Sequence, residues 1–275
     1  MLRLLSMITA LTLVLTPAAR AEQVLRMAHD LGFGASTTMD PYDPNRFWPT
    51  INIVYEGLIA LTSDNQPIPR LATEWSSSPD LKTWTFKLRD GVTFHDGAAF
   101  DAGDVVFTLD RARAPDSTNA QKVLFQGIAS VEAVDTATVR VTLTAPDGNF
   151  PFKMAWGDAV MLDPASADSL ATNPVGTGPF RLEQWVQGDR IVLERFADHW
   201  DADQFHYDRV IYLPIPDTTV RLANVRSGDL DIIERTAPAD VPGVRADDRL
   251  QLFEVPNIGY QGITINVGNG PRAEA

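Results

Sequence analysis

Between Trp84 and Ala112 the chain switches from one hydrophobic period to another, and this switch constrains the fold more than any other feature. Trp84, Phe86 and Leu88 alternate with Thr85 and Lys87, the two-residue period of a half-buried strand. Asp90-Gly91 supplies a turn and Val92-Thr93-Phe94 resumes the alternation, so a hairpin-like pair is expected. After a second turn at His95-Asp96-Gly97 the spacing becomes helical, with Ala102, Val105, Val106, Leu109 and Ala112 on one face. Asp101 and Asp104 form a capping pair in front of that face, and Arg111 and Arg113 sit at its end, where cations suit the macrodipole. A chain carrying both periods side by side must pack helices on sheets.

The same reading predicts a first strand at Val24 to Met27 and a helix over Ile51 to Leu61, with Ile51, Val54, Tyr55 and Leu58 on one face. Pro41, Pro44 and Pro49 should keep the preceding segment extended or turning. Further strands are expected at Thr138 to Thr144, Ile191 to Leu193, Val210 to Leu213, Leu250 to Val255 and Ile263 to Val267. Val220, Leu222, Ala223 and Val225 suggest a short helix ending at Gly228. No internal repeat interrupts this mixture, so the fold class is α/β in the mixed α+β sense, with more than one sheet. At 44% hydrophobic residues, the chain has material for one or two buried cores.

Charge and cysteine content narrow the chemistry. A net charge of -13 repels phosphate backbones and anionic lipid surfaces, which excludes nucleic acid as a partner. The absence of Cys excludes disulfides, thiol catalysis and thiolate metal sites, and leaves stability to packing. Arg3, the apolar run Leu4 to Leu15, Pro17 and the small residues Ala19 and Ala21 read as a signal peptide over 1–21, cleaved after Ala21. That run is too short to cross a hydrocarbon core of about 30 Å. With no Cys to carry a lipid, a freely soluble protein of the periplasm is expected.

Motifs of catalysis or metal binding are weak. Gly268 to Ala273 matches G-x-G-x-x-A in form, but Pro271 removes a donor beside the glycines and no helix follows within the sequence. His29, His95, His199 and His206 are scattered without metal-ligand spacing, and Asp96-Gly97 beside His95 reads as turn chemistry. Asp201 with Asp203, and Asp229 with Asp231, do not extend into a calcium loop. No G-x-S-x-G elbow occurs. No catalytic residue, metal site or cofactor is therefore expected. The aromatic residues in Asn45-Arg46-Phe47-Trp48-Pro49 and from Phe150 to Trp156 fall in loops, where such side chains often line a cleft.

Several stretches together resemble the extracytoplasmic solute-binding proteins of peptide and nickel ABC transporters, the oligopeptide- and dipeptide-binding type of family 5. They are Leu71-Ala72-Thr73-Glu74-Trp75, Thr83 to Arg89, Gly91 to Gly97 and Asp104 to Leu109. Gly176-Thr177-Gly178-Pro179-Phe180 with Trp185 and His199-Trp200, Tyr55-Glu56-Gly57-Leu58 after Thr38 to Pro41, and Gly228 to Asp231 add to them. The resemblance implies a periplasmic binding protein type 2-like lobe with an inserted small domain. Its expected parts are 22–61 and 171–267 for the lobe, 62–170 for the insert and 268–275 as a hinge or truncated end. The second lobe would be missing, so the sequence reads as an N-terminal fragment that binds ligand weakly or not at all by itself.

The resemblance further implies a binding component of an ABC importer that captures a small peptide or peptide-like ligand and delivers it to a permease in the inner membrane, without catalysis and as a monomer. Carried over position by position, the lobe's ligand contacts fall on Asn45, Phe47 and Trp48 and on Asn257, Gly259 and Tyr260, with Asn119 in the small domain as a further candidate. Nickel-complex or opine binding is the alternative inside the family. A secreted carbohydrate-binding protein or hydrolase is the alternative outside it. The Gly-Thr-Gly-Pro motif is expected to be a tight turn whose glycines take positive φ.

Overall fold

The computed structural model describes residues 21–29, 38–46 and 48–254. The chain divides into two compact units, the first ending at Arg235 and the second beginning at Thr236.

Among the described residues the first unit holds a five-stranded and a four-stranded sheet with a short two-stranded ribbon. Strand β1 is Val24–His29, β2 Ile59–Leu61, β3 Pro67–Pro69, β4 Ala72–Ser77, β5 Thr83–Leu88, β6 Ile128–Asp135, β7 Thr138–Leu143, β8 Phe180–Val186, β9 Arg190–Arg195, β10 Arg209–Pro214 and β11 Ile232–Ile233. The five-stranded sheet runs β11-β1-β10-β9-β8, with β1 parallel to both neighbours and the β10-β9-β8 side antiparallel. The four-stranded sheet runs β4-β5-β7-β6 and is antiparallel throughout; β2 and β3 form the ribbon. All strands of the four-stranded sheet come from residues 72–143, whereas the five-stranded sheet draws on both sides of that stretch.

Helix α1 is Trp48–Val54, α2 Ala102–Arg113, α3 Phe150–Lys153 and α4 Thr218–Ser227, and α5, Val241–Arg245, lies in the second unit. On β5 the alternation works as expected: Trp84, Phe86 and Leu88 are buried, against Val139 and Val141 of β7. Helix α2 turns Ala102, Val105, Leu109 and Ala112 inward. Its N-terminus carries the full capping box: Asp101 accepts from Gly103 N at 2.6 Å and Asp104 accepts from Asp101 N at 2.8 Å. Helix α4 ends at Gly228, in the left-handed region at φ 86°.

Three expected elements come out differently. Val92 to Phe94 does not pair with β5, because both edges of β5 are taken, one by the preceding strand β4 and the other by the remote strand β7. Thr93 bridges Ala99 instead, and Phe94 packs edge-on to Phe100 with ring centroids 6.0 Å apart. The helix expected over Ile51 to Leu61 is α1, which begins earlier, with Pro49 in its first turn, where a missing N–H costs nothing. It also ends earlier: the carbonyls of Glu56 and Leu58 accept from Met161 N and Ala72 N, at 2.8 and 2.9 Å, so they cannot serve a helix, and Ile59 to Leu61 is a strand. Leu250 to Glu254 forms no strand, since alternation without a ladder partner does not make one, and Phe253 is exposed. Val255, the strand at Ile263 to Val267 and the signal peptide lie outside the described residues, apart from Ala21 itself.

Candidate functional site

The segment before α1 is built from two successive side-chain turns. Asp40 accepts from Tyr42 N at 2.9 Å and Asp43 from Asn45 N at 2.7 Å, the local chemistry that Asp supplies beside proline. The turns deliver Arg46 inward. Its Nη2 meets Asp158 Oδ1 at 2.6 Å, with 1% and 0% of the two side chains exposed, and its Nη1 donates to the Asp43 carbonyl at 2.7 Å. Asn119 Nδ2 donates to the Asp158 carbonyl at 3.0 Å. The Trp48 ring stacks on the Arg46 guanidinium, 4.1 Å from its centroid, while 42% of the residue stays open to solvent. Burial pushes the Asp158 carboxyl above its ordinary range, outweighing the opposing pull of Arg46 and Trp156.

The residues expected from the sequence to contact ligand therefore stand as follows. Trp48 presents a half-open indole and Asn45 is exposed on the Asp43 turn. Asn119 is 3% exposed, and its amide is committed to Asp158 and to Gln121 N, so it braces the Arg46–Asp158 pair from beneath. Phe47, Asn257, Gly259 and Tyr260 lie outside the described residues. Arg46 and Asp158 were not singled out in the sequence. An arginine between two candidate contacts was the available signal for the first; nothing local marks the second.

A second buried cluster centres on Glu56 and joins three of the separated motifs. Arg70 Nε lies 2.6 Å from Oε1, Thr177 Oγ1 donates to Oε2 at 3.0 Å and Trp200 Nε1 donates to the same oxygen at 3.1 Å. His199 Nε2 stands 3.4 Å from Oε1. Burial alone would raise the Glu56 carboxyl, but His199, Arg70 and Trp200 together hold it below the ordinary carboxylate range. Arg89 lies over the Trp200 ring at 3.8 Å.

The Gly-Thr-Gly-Pro motif is held beside this cluster, and its glycines serve close approach rather than positive φ. Neither Gly176 nor Gly178 has φ above zero. A Cβ at 178 would stand 2.7 Å from the Val54 carbonyl carbon, and the Gly178 N–H donates to the Val54 oxygen at 3.0 Å. His95 clamps the other side: its Nδ1 accepts from Gly176 N at 3.2 Å, so its Nε2 carries the proton and donates to the Gly178 carbonyl at 2.9 Å. Burial pushes the His95 pKa down to about 4, despite the opposing effect of the Gly178 carbonyl.

Alongside the two clusters opens a cleft of about 340 Å³, whose lining includes Asn52, Glu56, Gly57, Arg70, Trp156 and Gly157. Trp156 is 52% exposed, as the loop aromatics suggested. Gly157 packs on Trp48, since a Cβ there would stand 2.5 Å from the indole Cζ3. Among the described residues no three His, Asp or Glu side chains gather as a metal site.

Two sheets and a cleft lined by polar and aromatic side chains define an α/β protein with a candidate ligand site. The family profile described as bacterial extracellular solute-binding proteins, family 5 Middle, matches residues 66–274, and the chain belongs to that family. It is 35% identical over 241 residues to the glutathione-binding protein GsiB of Pectobacterium atrosepticum, covering 86% of this chain and 47% of that protein. Among solved structures it is similar to AgaA of A. tumefaciens R10 in complex with agropinic acid, with TM-score 0.73 and 27% identity, covering 82% of this chain and 46% of that one. It is also similar to the ABC transporter-associated periplasmic binding protein DppA of Helicobacter pylori in complex with the peptide STSA, with TM-score 0.69 and 27% identity, covering 82% of this chain and 49% of that one. The chain thus spans about half the length of the curated relatives it matches.

Proposed function

We propose that this chain forms part of a periplasmic binding component of an ABC importer, one that captures peptides or peptide-like solutes for a membrane permease without chemical change. The observation that carries the reading is the half-open indole of Trp48, held on the buried Arg46–Asp158 pair. A fixed aromatic surface over a dry ion pair is a pre-ordered platform, which lowers the entropy lost when a flexible solute binds. Asn45, Phe47 and Trp48, with Asn257, Gly259 and Tyr260, are the proposed contacts. Residues 22–61 and 171–267 form the proposed lobe, and 62–170 the insert. The likeness to a glutathione-binding protein makes glutathione the first solute to test.

Titration of glutathione and short peptides, followed by calorimetry and tryptophan fluorescence, tests the reading. Saturable binding that W48A weakens supports it, and binding untouched by W48A removes Trp48 from the site. An N-terminal sequence beginning at Glu22 on protein recovered from the periplasmic fraction would support export. An opine is the second reading, favoured by the likeness to AgaA. Competition between agropinic acid and glutathione separates the two.

A further inference from the structure

We infer that the cleft beside Arg70 and Trp156 receives the free carboxylate of a small, flat-sided organic acid. The inference rests on the solute-binding reading above but concerns different side chains from the proposed Trp48 contacts. Arg70 brings five N–H donors. Nε is engaged by Glu56 Oε1 at 2.6 Å and the guanidinium faces the Trp200 ring at 5.4 Å; among the described residues the terminal nitrogens have no hydrogen-bonding partner, and the side chain is 27% exposed and lines the cleft. Glu56 cannot turn to satisfy them, because its oxygens already receive Thr177, Trp200 and His199.

Charge points the same way. Arg89 sits 3.8 Å over the Trp200 ring and its Nε donates to the Arg70 carbonyl at 3.0 Å, so two guanidinium groups stand against the single Glu56 carboxylate. In a chain of net charge -13, this corner keeps a local positive excess. A carboxylate meets a planar guanidinium through paired, charge-assisted bonds that solvent water does not match in geometry. Trp156 lines the same cleft with a half-open indole, and Asn52 adds an exposed carboxamide, which suits an acid carrying a flat apolar group. At about 340 Å³ the cleft lies at the small end of ligand pockets, the size of a dipeptide. Every residue named lies in the first compact unit.

The test uses the full chain and two probes, N-benzoylglycine and its uncharged amide, each titrated to about 10 mM. The acid is expected to bind at least about tenfold more tightly than the amide. R70Q should bring the acid down to the amide's affinity, R70K should keep part of the preference, and W156A should weaken both probes in a protein shown folded by circular dichroism. Equal affinity for acid and amide, no binding of either, or a preference that survives R70Q in a protein shown folded by circular dichroism would each overturn the inference. Binding that persists in R70Q and W156A but is lost in W48A would also overturn it, while leaving the solute-binding reading standing.

Discussion

Gly176 lies against Val54 so closely that a Cβ at position 176 would overlap the Val54 carbonyl oxygen and stand 2.9 Å from its carbon. The loop that carries Thr177 to Glu56 can thus approach α1 only with glycine at this point. G176A is expected to cost about 3 kcal/mol or more, because a backbone atom cannot move aside as a side chain can. Thermal melts of G176A beside G127A, where a Cβ meets nothing within 4 Å, provide the comparison. Similar melting temperatures for the two would show that the contact is not limiting.

Glu56 carries the next expectation. Four donors from three remote segments converge on its carboxylate, and removing the charge leaves the buried side of Arg70 without its counterion. E56Q should lower unfolding free energy by about 3 kcal/mol, the cost of breaking a buried pair from one side. Urea denaturation measures it, and a loss within about 0.5 kcal/mol would place the cluster among interactions that contribute little.

His95 predicts a pH dependence. Its folded pKa, about 4, lies below the ordinary histidine value of 6.5, so between these values the unfolded chain binds more protons than the folded one. The associated stability is fully present above pH 6.5 and is lost as pH falls toward 4, by up to about 3 kcal/mol. H95Q should flatten that part of the profile in chemical denaturation at pH 4, 5, 6 and 7. An unchanged slope would mean that other groups carry the acid sensitivity.

Arg46 and Asp158 should behave as a unit. R46M or D158L alone leaves a buried charge unpaired and is expected to cost about 3 to 5 kcal/mol, whereas the double variant should lose far less than the sum. Trp48 emission should shift in each single variant, because its ring rests on the guanidinium. A simple sum of the single losses would remove the coupling.

Much of this molecule was legible in local chemistry. The alternation of Trp84, Phe86 and Leu88, the Asp101–Asp104 box and the glycine stop of α4 all appear where their residues placed them. Strands β6 and β8 were not foreseen, since most of their residues are exposed and give little apolar alternation to read. The motifs Tyr55 to Leu58, Gly176 to Phe180 and His199-Trp200 were visible one by one, yet nothing in them shows that they meet at one carboxylate.

Period, capping and turn preference depend on neighbours along the chain, so the sequence alone settled the fold class, the principal strands and helices and the acidic, cysteine-free chemistry. Tertiary structure decided what depends on remote partners. It gave the second edge of β5 to the remote strand β7 rather than to Val92 to Phe94, and it cut α1 short by engaging the carbonyls of Glu56 and Leu58. It also set Gly176 and Gly178 against the backbone of α1, where lack of a side chain matters and the sign of φ does not. Each of these outcomes is a competition for hydrogen bonds or space between segments far apart in sequence, and only the folded chain brings the competitors together.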